Sequence, residues 1–458
     1  MARALSEIDM NHISKMALPH SRCRTDNRST TYSSIESKFR RRTMRTQVAI
    51  IGAGPAGLLL SHLLRLRGID AVLIEARSRE YCENRIRAGV LEQGTADTLD
   101  EAGLGARMHR EGLLHHGIEL LFAGERHRID LSALTGGRAI TVYSQHEVVR
   151  DLIAAGVAHG HEMHFEVSEV ALHDVESERP SVTFRHRDGR AGRIDCDFIA
   201  GCDGFHGIAR QTIPEALQRT FERVYPYAWL GILAQAAPSL DELVYAHHER
   251  GFALFSMRSP TVTRLYLQCR PDEDLAAWSD ARIWDELHLR FANASGWTPT
   301  EGPIMQKGVT PMRSFVCETM RHGRLLLAGD AAHIVPPTGA KGMNLAVADV
   351  RTLAHALSAH YAGDAAPLDG YSDRCLERVW RAEHFSYFMT NMLHPSPDDS
   401  PFVNRLKLAE LKYVTRSRAA AQALAENYVG LPFDEALAPA TLAASASARL
   451  DNAPSEIL

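Results

Sequence analysis

One short stretch constrains the fold of this chain more than any other, residues 47–75. An apolar run over 47–51 reads as a buried strand and leads straight into Gly52-Ala53-Gly54-Pro55-Ala56-Gly57. A helical pattern follows over 58–67 and stops at Gly68, and a second apolar run, Ala71-Val72-Leu73-Ile74, ends on Glu75. This predicts a strand–helix–strand unit of a parallel sheet. Each residue type has a physical reason to be where it is. Gly52 permits a tight turn, Gly54 lets the backbone approach a pyrophosphate, and Gly57 lets helix and strand pack closely. The helix N-terminus offers free N–H groups to phosphates, and Glu75, 18 residues after Gly57, can accept from ribose hydroxyls. A merely structural glycine turn has no need of its strand, its helix and an acid together. The motif points to a dinucleotide without separating FAD from NAD.

Two further segments separate them. Phe198-Ile199-Ala200-Gly201-Cys202-Asp203-Gly204 is a strand running into a glycine-rich turn, and Leu325-Leu326-Leu327-Ala328-Gly329-Asp330 is a buried strand ending in Gly-Asp. Asp330 sits where a carboxylate could hold a flavin ribityl hydroxyl, although taken singly it would more often be a turn or a helix cap. The three segments in this order resemble the FAD-dependent class A flavoprotein aromatic hydroxylases. In that family the Asp-Gly segment, here Asp203, serves both FAD and the nicotinamide cofactor. A separate second fingerprint for NADPH or NADH is lacking here, which fits a cofactor that binds transiently.

The resemblance runs from about residue 44 to 433 and includes long distinctive strings: Arg85-Ile86-Arg87-Ala88-Gly89-Val90-Leu91-Glu92-Gln93-Gly94, residues 329–342 around Pro336-Pro337-Thr338-Gly339-Ala340-Lys341, and Glu426-Asn427-Tyr428-Val429-Gly430. It implies hydroxylation of 4-hydroxybenzoate to 3,4-dihydroxybenzoate with NAD(P)H and O2, through a flavin C(4a)-hydroperoxide. The alternatives are a sister hydroxylase for another phenolic acid, or a non-catalytic flavin-binding redox sensor.

Residues 242–270 can be read without the resemblance. Two strands, 251–258 and 262–269, flank the turn Ser259-Pro260-Thr261. Alternation puts Ser256 and Arg258 on one face of the first, and Arg264, Tyr266 and Gln268 on one face of the second. That face suits an anionic aromatic ligand, and it equally suits a solvated sheet surface. The resemblance implies that Ser256, Arg258 and Tyr266 grip the substrate carboxylate, a task that suits the planar fork of arginine. It implies that Tyr245 and Tyr428, otherwise ordinary half-buried tyrosines, form a relay for the substrate's phenolic proton, which a histidine could continue. It places Pro337 beside the substrate hydroxyl and Asn344 against the flavin, at the head of a helix over 344–357. Lys341 would add positive potential there, although on its own it reads equally as a surface lysine. Met343 stands where the family has leucine, a volume-conserving change. Gly339 and Gly342 are expected to adopt conformations forbidden to side chains. Arg87 and Gln145 match FAD contacts, and Arg264 matches a residue lying against the flavin in a swung-out position.

For the nicotinamide cofactor the resemblance implies Arg85, His206 and Arg313 as phosphate holders. Glu75 is followed by Ala76 and Arg77, so the first basic or amide residue of the family's pair is absent, while Tyr81 remains. NADPH is favoured slightly over NADH.

The formal net charge of −5 argues against a general nucleic-acid binder. No apolar run approaches the ~20 residues that span a bilayer. The 7 cysteines form no CxxC pair or zinc-like spacing, so a reduced cytoplasmic protein without a metal is expected. Residues 1–43 are polar, lack an apolar signal segment and contain Glu7, Asp9, Asp26 and Glu36, so they read as a disordered extension upstream of an initiator at Met44. Residues 434–458 read as a loose tail. The expected architecture is α/β. An FAD domain of the Rossmann type (44–115, 142–215 and 313–365) is interleaved with a mostly antiparallel substrate sheet (116–141 and 216–312), followed by C-terminal helices (366–433). The resemblance implies a homodimer through those helices.

Overall fold

The glycine-bearing unit forms as the strand Val48–Ile51, the helix Pro55–Leu66 and the strand Ala71–Ile74. The helix begins earlier than its apolar periodicity suggests, because Pro55 at the first helical position has its φ already set and no N–H to leave unpaired. The structure, a computed structural model, describes residues 43–433 apart from Ile86 and Ala88. The expected extension and tail therefore lie outside the described residues, save Thr43, which starts the strand Thr43–Arg45.

The first sheet has six strands. Its order is Arg321–His322, Leu325–Leu327, Phe198–Gly201, Val48–Ile51, Ala71–Ile74 and Glu162–His164. Its four central strands and Glu162–His164 run parallel, and their fully buried apolar runs suit a sheet covered on both faces. The register pairs Ile51 with Gly201 and Gly201 with Leu327. The three motif turns, at Gly52, Asp203 and Gly329-Asp330, thus leave one edge of the sheet side by side. This is the carboxyl edge, where open parallel sheets bind their ligands.

The second sheet has eight strands in the order His333–Ile334, Ile304–Cys317, Thr220–Ala234, Val262–Cys269, Ala253–Ser259, Leu243–Ala246, Gly117–Phe122 and Glu125–Asp130. All neighbours are antiparallel except Leu243–Ala246 with Gly117–Phe122. The long strand Ile304–Cys317 runs through residue 313, so the division expected there falls inside one strand, a ladder that gives no reason to break. One face of this sheet packs Leu265, Leu267, Phe255 and Met257 against the helix Asp280–Arg290. The other carries Tyr245, Leu254 and Tyr266 against Phe385, Met389 and Tyr428 of the C-terminal helices Tyr371–Leu393 and Arg418–Tyr428. The architecture is the expected one: a parallel α/β sheet, a mostly antiparallel sheet and C-terminal helices.

Where the helix Tyr371–Leu393 meets the edge of the second sheet Glu383 is buried, with Ser314 and the imidazole of His333 as neighbours; burial raises its pKa to about 7, against the pull of Ser314 and His333. Beside it opens a cavity of about 270 Å³ lined by Phe221, Arg223, Trp380 and Tyr387.

Candidate active site

The cradle is made of backbone. Gly52 has φ +106°, and a Cβ there would sit 2.4 Å from the Cys202 carbonyl oxygen; at Gly57 it would sit 2.0 Å from the Gly52 oxygen. Gly54 faces open space. It starts a helix with no side-chain cap, which leaves the first N–H groups of the helix without a side-chain acceptor. Glu75 is pinned at the end of its strand, its two oxygens accepting from the N–H of Ala53 and of Arg77, each at 2.7 Å. Asp203 accepts from the Ala209 N–H at 2.9 Å through Oδ2, while its Oδ1 is buried without a partner. Desolvation raises the Asp203 pKa, although several backbone N–H groups work against it. Asp330 faces outward but is hemmed in closely enough that desolvation raises its pKa too, against the pull of His333 and Arg87. The Gly329-Asp330 turn is held from behind by Asp349. Its Oδ2 accepts from the Gly329 N–H at 2.8 Å and meets His333 Nε2 at 2.6 Å. Burial opposes a charge on His333, but Asp349 outweighs it and holds the imidazole pKa up. Gln145 opens the helix Gln145–Ala158, and Gly89 passes so close that a Cβ on it would lie 2.7 Å from the Gln145 nitrogen.

The substrate face is made of side chains. In the antiparallel ladder Tyr245 stands opposite Leu254, Leu254 opposite Tyr266, and Ser256 opposite Arg264. Opposed residues share a face, so Tyr245, Ser256, Arg258, Arg264 and Tyr266 come together on the side that packs on the C-terminal helices. Arg264 lies with its guanidinium carbon 5.0 Å from the centre of the Tyr266 ring. It fits because Gly231, opposite Tyr266, has no side chain: a Cβ there would be 2.8 Å from Arg264 Nη2. Both Arg258 Nε and Arg264 Nε are buried and lack a partner. Burial would raise the Tyr266 pKa, but the two guanidinium groups outweigh it and hold the phenol below its ordinary value. Two half-buried cations with buried spare Nε donors around one hydroxyl form a site for an anion.

Tyr245 and Tyr428 are buried and hydrogen-bonded to each other through their hydroxyls. Burial pushes both phenols up, so both are neutral near pH 7. Among the described residues neither hydroxyl has a further protein partner, and the nearby His394 is fully engaged, accepting from Trp229 Nε1 at 2.7 Å and donating to the Thr390 carbonyl at 2.9 Å.

The loop over residues 336–344 ties the two parts together, and it corrects two expectations. Lys341 is not a surface lysine: it is buried, and its ammonium donates to Glu92 and to the carbonyls of Asn427 and Tyr428. The left-handed residue of the loop is Ala340, with φ 54°, and not Gly339 or Gly342. Gly339 is needed for room, since a Cβ there would sit 2.8 Å from Ser386 Oγ. Pro337 is exposed and opens a short turn of helix, Met343 is half-buried, and the observed helix Gly342–Tyr361 is longer at both ends than 344–357. Asn344 accepts from the Glu92 N–H at 3.0 Å and donates to the carbonyls of Val90 (3.0 Å) and Ala340 (2.7 Å).

The five residues expected to hold a nicotinamide cofactor fall into two groupings. Arg77 and Arg85 lie over the Tyr81 ring at 5.4 and 5.7 Å, and Arg313 lies over the ring of Phe205, which also contacts the exposed His206. Arg313 is also paired with Glu222 at 3.3 Å. Sequence reasoning assigned no role to Asp349 or Glu383, which lie in no recognisable motif, or to Glu92, although it stands in the string 85–94. Only the density of polar residues around residues 329–344 could have pointed to them.

A family model described as an FAD binding domain matches residues 45–386. Over 393 residues the chain is 50% identical to the p-hydroxybenzoate hydroxylase of Acinetobacter baylyi (strain ATCC 33305 / BD413 / ADP1), covering 86% of this chain and 97% of that one. The chain belongs to this FAD-binding family of aromatic hydroxylases. A probable NADH-specific resorcinol 4-hydroxylase of Rhodococcus jostii (strain RHA1) is 25% identical over 337 residues, 69% of this chain and 59% of that one. The crystal structure of p-nitrophenol 4-monooxygenase from Pseudomonas putida DLL-E4 superposes with a TM-score of 0.71 at 18% identity, over 85% of this chain and all of that one, and shares the fold. The residues of this FAD-binding hydroxylase fit its cofactor: the helix start is uncapped, Gly54 is open and Asp203 Oδ1 is a buried acceptor awaiting a donor. Among the described residues no helix is long and apolar enough to cross a membrane.

Proposed function

We propose that this hydroxylase converts 4-hydroxybenzoate, NADPH or NADH, a proton and O2 into 3,4-dihydroxybenzoate, oxidised nicotinamide cofactor and water. The observation that carries the reading is the pair of half-buried arginines, Arg258 and Arg264, with buried, unpartnered Nε donors around Tyr266, on the same sheet face as the Tyr245–Tyr428 pair. A para-hydroxylated benzoate needs both ends of this face. Its carboxylate is held by Arg258, Ser256 and Tyr266, and its phenol meets Tyr245.

Bound FAD, held by Gly52, Gly54, Gly57, Glu75, Arg87, Gln145, Asp203 and Asp330, supplies the activation and transfer of oxygen. The protein supplies the rest. A phenol with a pKa near ~10 is mostly protonated at neutral pH, and its ortho carbon is far more nucleophilic in the anion. Tyr245 accepts the phenolic proton as its own passes to Tyr428, and Tyr428 releases its own proton to a water molecule that leaves for solvent, so neither buried tyrosine has to hold a charge. Pro337, Lys341, Met343 and Asn344 shape the loop facing the flavin ring, and Phe385, Met389 and Tyr428 cover the sheet face and keep water out. Arg77, Tyr81, Arg85, His206 and Arg313 receive the nicotinamide cofactor. NADPH is the favoured donor, and the NADH-specific relative makes the choice a direct measurement. The enzyme works in the cytoplasm as a homodimer. Its interface includes the helix Pro401–Arg416, on which Phe402, Leu406 and Tyr413 form one exposed apolar stripe.

The test is to mix the purified flavoprotein with 4-hydroxybenzoate and each nicotinamide cofactor under air and to look for 3,4-dihydroxybenzoate. Cofactor oxidation with peroxide and no aromatic product would indicate a different phenolic acid. No stimulation of oxidation by any phenolic acid would indicate a redox sensor.

A further inference from the structure

Toward the other ends of the helices that begin at Pro55 and Gln145, three histidines converge. His62 lies two-thirds along the helix Pro55–Leu66, and His159 and His161 flank the turn that ends the helix Gln145–Ala158. One ring nitrogen from each lies within 4.8 Å of the other two. The ring centroids are 6.0, 6.0 and 6.3 Å apart.

Hydrogen bonding sets the tautomers. His62 Nε2 lies 2.9 Å from the Ala102 carbonyl and His159 Nδ1 lies 2.7 Å from the Ala155 carbonyl; a carbonyl only accepts, so both nitrogens carry the proton. His161 Nδ1 meets Ser61 Oγ at 3.2 Å. The remaining nitrogens of His62 and His159 are lone-pair acceptors, as is His161 Nε2 when Nδ1 donates to Ser61, and His62 Nδ1 and His161 Nε2 are buried with no partner. His62 itself is only 4% exposed. A ligating imidazole usually donates its other N–H to a carbonyl or hydroxyl, and each of these three has such a group in place.

We propose that His62, His159 and His161 form a three-imidazole site for a divalent transition metal, with zinc its natural occupant and a solvent-facing fourth position beside the exposed His159. With a Zn–N length of 2.0–2.1 Å, tetrahedral rings would have centroids about 5.2 Å apart, so each ring moves inward by roughly half an ångström. Gly156 leaves room behind the site, since a Cβ there would be 3.0 Å from the Met163 methyl group and 3.5 Å from His161 Nδ1. The nearby positive charge is Arg65, which is exposed and screened by water. The ion clips the helix that presents its start to the FAD phosphates onto its neighbour, and so acts on stability rather than on hydroxylation.

The test uses untagged, FAD-loaded protein stripped with EDTA, equilibrated with Zn²⁺ and desalted. It should retain about one zinc per chain, and Zn²⁺ should raise Tm by a few degrees. Co²⁺ in its place should give a visible band on the long-wavelength side of the flavin absorption. His159→Ala changes only an exposed residue, and His161→Ala a half-buried one. Each should cut zinc retention at least tenfold and abolish the cobalt band and the Tm shift, with FAD content unchanged. Zinc retention that survives both substitutions, or an unliganded protein whose Tm ignores Zn²⁺, overturns the proposal. None of these readouts depends on which phenol is hydroxylated.

Discussion

The phosphate edge and the aromatic face solve recognition in opposite ways. At the edge, main-chain N–H groups and missing side chains form the first turn, written within residues 52–75, and the carboxylate turns at Asp203 and Asp330 lie beside it. On the face, the binding groups are side chains gathered from positions as far apart as Tyr245 and Tyr428, 183 residues away. A backbone cradle recognises what all dinucleotides share, whereas the proposed constellation of side chains would recognise one anion and one phenol. Faults in the two regions should therefore differ in kind: loss of flavin at the edge, loss of substrate or product on the face.

Arg258→Ala gives the sharpest separation. Truncating one side of a buried charge pair costs about 2–5 kcal/mol, so the Kd for 4-hydroxybenzoate, followed by flavin fluorescence, should rise on the order of 10²–10³-fold while FAD content stays normal. Unchanged affinity would remove the arginine from the carboxylate site. Tyr428→Phe should leave that Kd unchanged and lower product formed per turnover by on the order of 10², the scale of positioned proton transfer. Single-turnover quantitation of 3,4-dihydroxybenzoate decides it, and full yield in the variant breaks the relay. Gly57→Ala acts on the edge alone. Its new Cβ meets backbone at 2.0 Å, so about 1–3 kcal/mol of strain should appear as FAD lost on gel filtration. A variant that keeps its flavin would show that the helix can shift.

The smallest effect tests the seam between the regions. Glu383 has a folded pKa of about 7, above its ordinary carboxylate value, so the folded state keeps a proton that the unfolded chain has released. Stability from this group is present at low pH and lost as pH rises toward 7, roughly 1–2 kcal/mol over the window. The Tm of Glu383→Gln should fall less between pH 5 and pH 8 than that of the parent. Parallel curves would mean that Glu383 is already ionised.

What could be read beforehand follows the same division. The strand–turn–helix–strand unit, the Asp203 and Asp330 turns and the pair of strands around residue 260 were legible, because each depends on local spacing and on residue types with few alternative uses. Strand alternation even put Ser256 with Arg258 and Arg264 with Tyr266. Alternation could not show that these faces would meet Tyr245, since strand order is set by long-range pairing. Lys341 misled for a related reason: a lysine looks solvent-bound until Glu92 and the end of the last helix arrive to satisfy it. At the 336–344 loop glycines were credited with the unusual backbone, while the chain placed it on Ala340 and used Gly339 for clearance. Nor does any spacing rule join His62 to a pair of histidines almost a hundred positions later.

The grip of Lys341 on the carbonyls of Asn427 and Tyr428 also bears on the order in which the enzyme is made. Every strand of the dinucleotide sheet precedes the final helix in the chain, so that sheet could form, and bind flavin, before the helix is made. Such a precursor would be yellow but unable to draw a proton from a phenol. Competence to act on the aromatic ring therefore arrives last in translation, when one buried ammonium captures the segment that delivers the second tyrosine.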